Sequence, residues 1–213
     1  MTYDIIVKNG RLVDGTGSPW RHADVGIIGD SISFIGSIND SEGDRIIDAS
    51  GLVVSPGWID IHLHADHTVL GNPGCLSYAH QGITTVTMGN CGLSMYPLTP
   101  EHRDDLIQYM LPFTSGISLD WDWVTMDDFL DKVKEMGTSL NMVPYVGHGS
   151  IRIGVMGFDD RKPTIAELEV MKGLLDEAMI SGAHGMSTGL GYPPGLYTEE
   201  IELQAMCEVI KRH

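Results

Sequence analysis

Residues 56–64 read Pro56-Gly57-Trp58-Ile59-Asp60-Ile61-His62-Leu63-His64, an apolar run closed by two histidines one residue apart. Side chains of a β-strand alternate between its two faces, so if this run is a strand, Asp60, His62 and His64 all point the same way. Two imidazoles on one face at a strand's end form half of a metal site. A catalytic zinc usually has three protein donors and one open position, so further donors must come from elsewhere in the chain.

The next candidate lies in Gly82-Ile83-Thr84-Thr85-Val86-Thr87-Met88-Gly89-Asn90-Cys91-Gly92. The β-branched stretch from Ile83 reads as a strand, and glycines surround a cysteine just past its C-terminal end. A lone cysteine packs as a small buried hydrophobe more often than it ligates, but the preceding His-x-His run and the Asn-Cys-Gly turn favour a ligand here. Zinc suits a mixed thiolate and imidazole set better than magnesium or calcium does.

Working outward, residues 1–55 alternate short strands with turns. Strands are expected at 4–8, 11–13, 24–28, 31–35, 45–48 and 52–54, punctuated by Asn9-Gly10, Asp14-Gly15, Gly29-Asp30 and Ser50-Gly51 in hairpin and meander grammar. From residue 56 the grammar becomes strand followed by helix: strands at 58–63, 83–88, 140–146 and 183–187, helices at 73–81, 101–111, 125–136 and 198–211. Another helix is opened by Thr164-Ile165-Ala166-Glu167, which fits a capping box. About four βα units in a row form the pattern of a parallel barrel, which needs eight to close. The expected fold is therefore α/β: residues 56–213 as the N-terminal half of a TIM-like (β/α)8 barrel, truncated after its fourth helix, preceded by a small β unit at 1–55.

At residues 56–64, 84–92, 145–152 (Tyr-Val-Gly-His-Gly-Ser-Ile-Arg) and 185–195 (Gly-Met-Ser-Thr-Gly-Leu-Gly-Tyr-Pro-Pro-Gly) the sequence resembles the D-aminoacylase, or N-acyl-D-amino-acid deacylase, branch of the amidohydrolase superfamily. His-x-His marks only the superfamily, whereas the cysteine turn and the 185–195 stretch point to this branch. The resemblance implies that residues 1–55 are part of a β-sandwich completed by later strands. It implies one or two zinc ions held by His62, His64 and Cys91, with Cys91 replacing the carboxylated lysine that bridges two metals in related enzymes. No lysine occurs in Ala183–Leu190 to fill that role. The implied reaction is hydrolysis of the amide of an N-acyl-D-amino acid, with two further histidines and an aspartate base on strands beyond residue 213.

Other residues carry less decisive readings. His148, between two glycines at the end of the third expected strand, either contacts substrate or holds a tight loop. Tyr192, in a loop stiffened by Pro193 and Pro194, can orient a substrate carboxylate, and the resemblance implies a substrate contact near it. Asp60 sits two residues deeper than His62 and reads as a carboxylate that either supports the histidines or satisfies polar groups in the core. His184 reads as core. His67, His80, His102 and His213 show no ligand spacing and read as solvated, Cys75 and Cys207 as buried packing, and Trp121 and Trp123 as packing under a long loop.

Composition narrows the partners. With 29 Asp+Glu against 13 Lys+Arg and a net charge of −16, the chain repels phosphate backbones and anionic membranes, so a small-molecule substrate is expected and neither nucleic acid nor membrane. Three widely spaced cysteines form no disulfide framework, and the N-terminus has no signal-like region, as a cytoplasmic protein would show. Three rivals remain: a serine hydrolase using Ser187 of Gly185-Met186-Ser187-Thr188-Gly189, disfavoured because residues 190–195 cannot start the helix that motif requires; another amidohydrolase, acting on cyclic amides; and an inactive fragment of the deacylase. Gly147-His148-Gly149 makes no dinucleotide fingerprint, and residues 152–155 are not expected to open a helix.

Overall fold

A computed structural model describes residues 2–114 and 116–213. The chain divides into two compact units, Met1–Gly57 and Trp58–His213.

The first unit holds strands β1 (Tyr3–Lys8), β2 (Arg11–Leu12), β3 (Arg21–His22), β4 (Asp24–Ile28), β5 (Ser31–Gly36), β6 (Gly43–Asp48) and β7 (Val53–Val54). They form one sheet in the order β5-β4-β1-β6 and a second in the order β3-β2-β7. The expected hairpin across Gly29-Asp30 is present, with β4 and β5 antiparallel and Gly29 at φ 61°. A meander is not: β1 runs parallel to β6 and β2 parallel to β7, and Asn9-Gly10 passes the chain from one sheet to the other. β3 went unforeseen, because a two-residue strand of arginine and histidine has no apolar signal. The core is small, Tyr3, Ile6 and Ile38, and an apolar groove of about 260 Å³ opens among Val7, Leu12, Val25, Ile27, Ile32 and Ile35.

The second unit alternates strands and helices: β8 (Trp58–Asp60), α1 (Leu76–Ala79), β9 (Ile83–Met88), α2 (Arg103–Met110), α3 (Met126–Met136), β10 (Asn141–Pro144), β11 (Val146–Gly147), α4 (His148–Met156), α5 (Ile165–Ile180), β12 (Met186–Ser187) and α6 (Glu200–Ile210). β8, β9 and β10 are parallel neighbours, and β11 pairs in parallel with β12. β10 and β11 are one strand interrupted at Tyr145, pairing backward with β9 through its first part and forward with β12 through its second. That stagger tilts strands in a curving parallel sheet. The spatial order thus follows the chain order, a mixed α/β architecture with its chemistry expected past the strands' C-terminal ends.

The helices form where local sequence dictates. Thr125 and Asp128 make a reciprocal capping box for α3, and Thr164 and Glu167 make the one foreseen for α5. Met126, Phe129 and Val133 supply the buried stripe of α3. Helix α4 overturns the expectation that residues 152–155 open no helix. Nearly all its residues are buried, so it lacks the polar face from which periodicity is read. Among the described residues no helix is long and apolar enough to cross a membrane.

Candidate metal centre

β8 stops at Asp60, short of the expected Leu63, because the Asp60 carboxylate accepts the backbone N–H of His62 (3.1 Å) and turns the chain out of the strand. Alternation along a strand therefore does not orient the two histidines. They converge with Cys91 nonetheless: His62 Nε2 lies 2.9 Å from Cys91 Sγ, and one donor atom from each of His62, His64 and Cys91 lies within 4.8 Å of the others. His62 is exposed while His64 and Cys91 are half-buried, so the cluster opens on one side. Burial lowers the pKa of His64, favouring the neutral imidazole that ligates metals.

Cys91 is delivered by a turn whose backbone is left-handed at three of four residues, Gly89 (φ 72°), Cys91 (φ 58°) and Gly92 (φ 71°). Glycine is needed for space as well: a Cβ on Gly89 would lie 2.1 Å from the Tyr145 carbonyl oxygen, and one on Gly92 2.7 Å from the Gly189 nitrogen. Bonds from several elements hold this turn. The Asn90 amide donates to the Leu63 carbonyl (3.0 Å) and to the Thr87 carbonyl and hydroxyl, tying the cysteine turn to the histidine segment. Gly89 N–H donates to Asp66 (3.1 Å) and Ser150 N–H to the Gly92 carbonyl (3.1 Å).

Ser187 accepts from Gly92 N–H (2.8 Å) and donates to the Gly89 carbonyl. Its hydroxyl is committed on both sides to the cysteine turn, among the described residues no base hydrogen-bonds to it, and no helix follows β12 directly, which removes the nucleophile-elbow geometry. The Tyr192 hydroxyl donates to the Cys91 carbonyl (2.5 Å), and burial pushes its pKa up to about 12, so the proton stays on at neutral pH. The ring is otherwise exposed beside the cluster.

His148 does not join the cluster. It is fully buried at the start of α4, its Nε2 2.8 Å from Glu202 of α6, and Arg152 donates to the other Glu202 oxygen (2.5 Å). Burial pushes the Glu202 pKa up, but the hydrogen bonds from His148 and Arg152 outweigh it and hold the carboxyl below its usual value. Three other expectations are corrected. His67 is buried, within the short 3-10 turn Ala65–His67 that follows His64 and against Phe113; His184 is exposed, as is Cys207 on α6. Trp121 and Trp123 are buried as expected, with Trp123 Nε1 donating to the Met95 carbonyl.

Asp66 escaped the sequence reading, although His62-x-His64-x-Asp66 continues the spacing of the quoted run. It is buried, and burial raises its pKa to about 6. Two imidazoles and a sulfur form a borderline-to-soft donor set that fits zinc in type, and three protein donors leave a position open for a reactant.

Known proteins resemble this chain. Residues 45–213 match the Amidohydrolase family. The chain is 36% identical over 211 residues to D-aminoacylase of Alcaligenes xylosoxydans xylosoxydans, covering 99% of this chain and 43% of that protein, and 35% identical to N-acyl-D-glutamate deacylase of the same organism, covering 97% and 41%. It thus spans less than half the length of these relatives. Among solved structures, a D-aminoacylase described as having a binuclear metal centre superposes with a TM-score of 0.87 at 35% identity, over 99% of this chain and 44% of that one. The N-acyl-D-glutamate deacylase of Bordetella bronchiseptica, complexed with zinc and a phosphonate that mimics the tetrahedral intermediate, superposes with 0.86 at 31% identity, over 100% and 44%. With the match extending over most of its length, and with its cysteine turn set against the His-x-His segment, the chain belongs to the amidohydrolase family.

Proposed function

We propose that His62, His64 and Cys91 hold zinc and that the protein containing this chain hydrolyses the amide bond of N-acyl-D-amino acids, releasing a carboxylate and a free D-amino acid. The observation that carries this reading is the meeting of two imidazoles and a thiol just past the C-terminal ends of two adjacent parallel strands. We further read residues 56–213 as the first half of a (β/α)8 barrel, supported by the succession β8, β9, β10/β11, β12 and by the exposed apolar residues Trp58 and Ile59 in β8 and Ile61 just past it. Residues 1–55 we read as part of a β-sandwich, since the apolar groove of that unit lies open for further strands.

When bound, zinc lowers the pKa of water and polarises an acyl carbonyl. The chain's own residues supply the frame. His62 and Cys91 stand close enough to share one ion, and Asn90 keeps their two segments in register. Tyr192, protonated and anchored on the Cys91 carbonyl, presents its ring beside the cluster, where it contacts substrate. Asp60 and Asp66 each accept a backbone N–H, so the proton-transferring base is assigned to neither. His148 we read as a positioning residue, because Glu202 occupies its ring nitrogen in the interior. The cysteines, none in a disulfide among the described residues, suit a reducing compartment such as the cytoplasm, where Cys91 stays available as a ligand.

The test is cleavage of N-acetyl-D-methionine and N-acetyl-D-glutamate by the protein. A chelator should abolish it and zinc should restore it; Cys91→Ala should remove tight zinc binding, and His62→Ala, which takes away one of the three donors, should weaken it. Turnover of hydantoin or dihydroorotate without cleavage of either acyl amino acid would reject the substrate class. Labelling of Ser187 by a fluorophosphonate, with no effect of chelators, would reject the metal mechanism.

A further inference from the structure

A second cluster adjoins the first. One donor atom each from His64, Asp66 and His67 lies within 4.8 Å of the others, and the His64 and His67 rings stack with centroids 4.9 Å apart. Asp66 and His67 are each 1% exposed. Among the described residues seven buried side-chain polar atoms lack a hydrogen-bond partner, and four of them are here: His64 Nδ1, Asp66 Oδ1, and both ring nitrogens of His67. A buried polar atom without a partner loses its hydration with nothing in return, so such atoms are rare in folded proteins and their clustering calls for a ligand. The nearest contact between the two fully buried groups, His67 Nε2 to Asp66 Oδ2, is 3.7 Å, too long for a hydrogen bond.

We propose that His64, Asp66 and His67 form an additional binding site for a divalent ion of the zinc class, separate from the Cys91 cluster and sharing His64 with it. Two imidazoles and one carboxylate make a known type of zinc donor set, whereas magnesium and calcium prefer all-oxygen surroundings. Phe113 packs on the His67 ring at 5.2 Å, giving one wall of the site the apolar character that limits solvent access to a bound ion. The other Asp66 oxygen already accepts the Gly89 N–H, which fixes the carboxylate and leaves Oδ1 to the ion. The proposal does not depend on whether the Cys91 cluster is catalytic.

Cobalt(II) separates the two sites, because only the Cys91 site gives a sulfur-to-metal charge-transfer band. In the apo protein titrated with cobalt, Cys91→Ser should erase that band yet retain visible d–d absorption and about one ion per chain by elemental analysis. Adding His67→Phe to Cys91→Ser should drop this to none. Thermal melting gives a second readout: in chelator His67→Phe should melt no lower than the wild type, since an apolar ring replaces two unpartnered nitrogens. Zinc should raise the melting temperature of Cys91→Ser but not that of the double variant. The proposal is overturned if Cys91→Ser binds no cobalt, if the double variant binds as much as Cys91→Ser, or if His67→Phe alone melts lower in chelator, which would mean that the nitrogens already have partners. Loss of the charge-transfer band's assignment to Cys91 would instead count against the catalytic site.

Discussion

Asn90→Ala offers a sharp test of how the candidate metal centre is held. Asn90 is 7% exposed, and its amide N–H groups serve the Leu63 carbonyl at 3.0 Å, the Thr87 carbonyl at 3.2 Å and the Thr87 hydroxyl at 3.1 Å. Truncation leaves at least one carbonyl buried without its donor, a loss of about 1–3 kcal/mol, and removes a net contribution of about 1 kcal/mol from the bond itself. About 2–4 kcal/mol in total corresponds to a fall in melting temperature of roughly 4–16 °C for a protein of this size. The second effect is the telling one. With the Gly89 N–H to Asp66 bond, the bond to Leu63 directly ties the segment bearing His62 and His64 to the turn bearing Cys91, so metal affinity should drop roughly 10–100-fold, the usual cost of losing a group that orients a ligand. Chelator-competition titration of zinc measures the affinity, and urea unfolding of the apo protein measures the stability. A stability loss of the stated size with zinc affinity changed less than about twofold would refute the claim that Asn90 sets the ligand register, and would leave it an ordinary buried amide.

Other expectations follow from the same contacts. Glu202→Gln strips the counter-charge from buried Arg152 and should destabilise the protein by about 3–5 kcal/mol in urea unfolding, whereas loss under about 1 kcal/mol would show that the network does not hold α4 to α6. Glu167 has its carboxyl pKa drawn down to about 2, chiefly by its hydrogen bonds with Arg161, so its stabilisation is complete above about pH 4.5 and fades as pH falls toward 2; melting temperature measured across that window should slope less in Glu167→Gln. A fluorophosphonate should leave Ser187 unlabelled, and Ser187→Ala combined with Asn90→Ala should destabilise less than the sum of the two, by about 0.5 kcal/mol or more, since both side chains restrain one turn.

What the sequence discloses here depends on whether a signal is local. Strand Ile83–Met88 and the Thr164 capping box are written in β-branching and in a four-residue pattern, and both stand where they were expected. Helix α4 leaves no trace in the sequence because burial on all sides erases amphipathic period, and His67 reads as solvated because nothing near it in sequence says that Phe113 will pack against it. Strand alternation, from which the sequence pairs His62 with His64, is not what brings them together. The strand ends before them, and it is the Asp60 turn that aims them. Ser187 shows the converse: a motif legible as a nucleophile is spent on a brace 98 residues away in sequence, a pairing that only the tertiary fold creates.

The cysteine turn illustrates why the device and its sequence signature coincide. A lysine reaches a metal along a flexible four-carbon stem and can stand within a strand, but a cysteine places its sulfur one carbon from the backbone, so the backbone itself must be carried to the ion. That demands a chain reversal immediately past β9, which the left-handed residues Gly89, Cys91 and Gly92 provide, and it demands bracing, because Cys91 holds that conformation without glycine's freedom. Gly89→Ala should therefore imitate the loss of the thiol while leaving it in place. The left-handed backbone costs alanine about 1–2 kcal/mol, and its Cβ, 2.1 Å from the Tyr145 oxygen, must retreat by about 1.4 Å to reach ordinary contact. A displacement of that size at a site of fixed geometry can lower function about a hundredfold, so zinc affinity by chelator competition should fall on that order while thiol reagents still titrate Cys91. Wild-type affinity in Gly89→Ala would show that the turn tolerates the shift and that the sulfur is not positioned by backbone conformation.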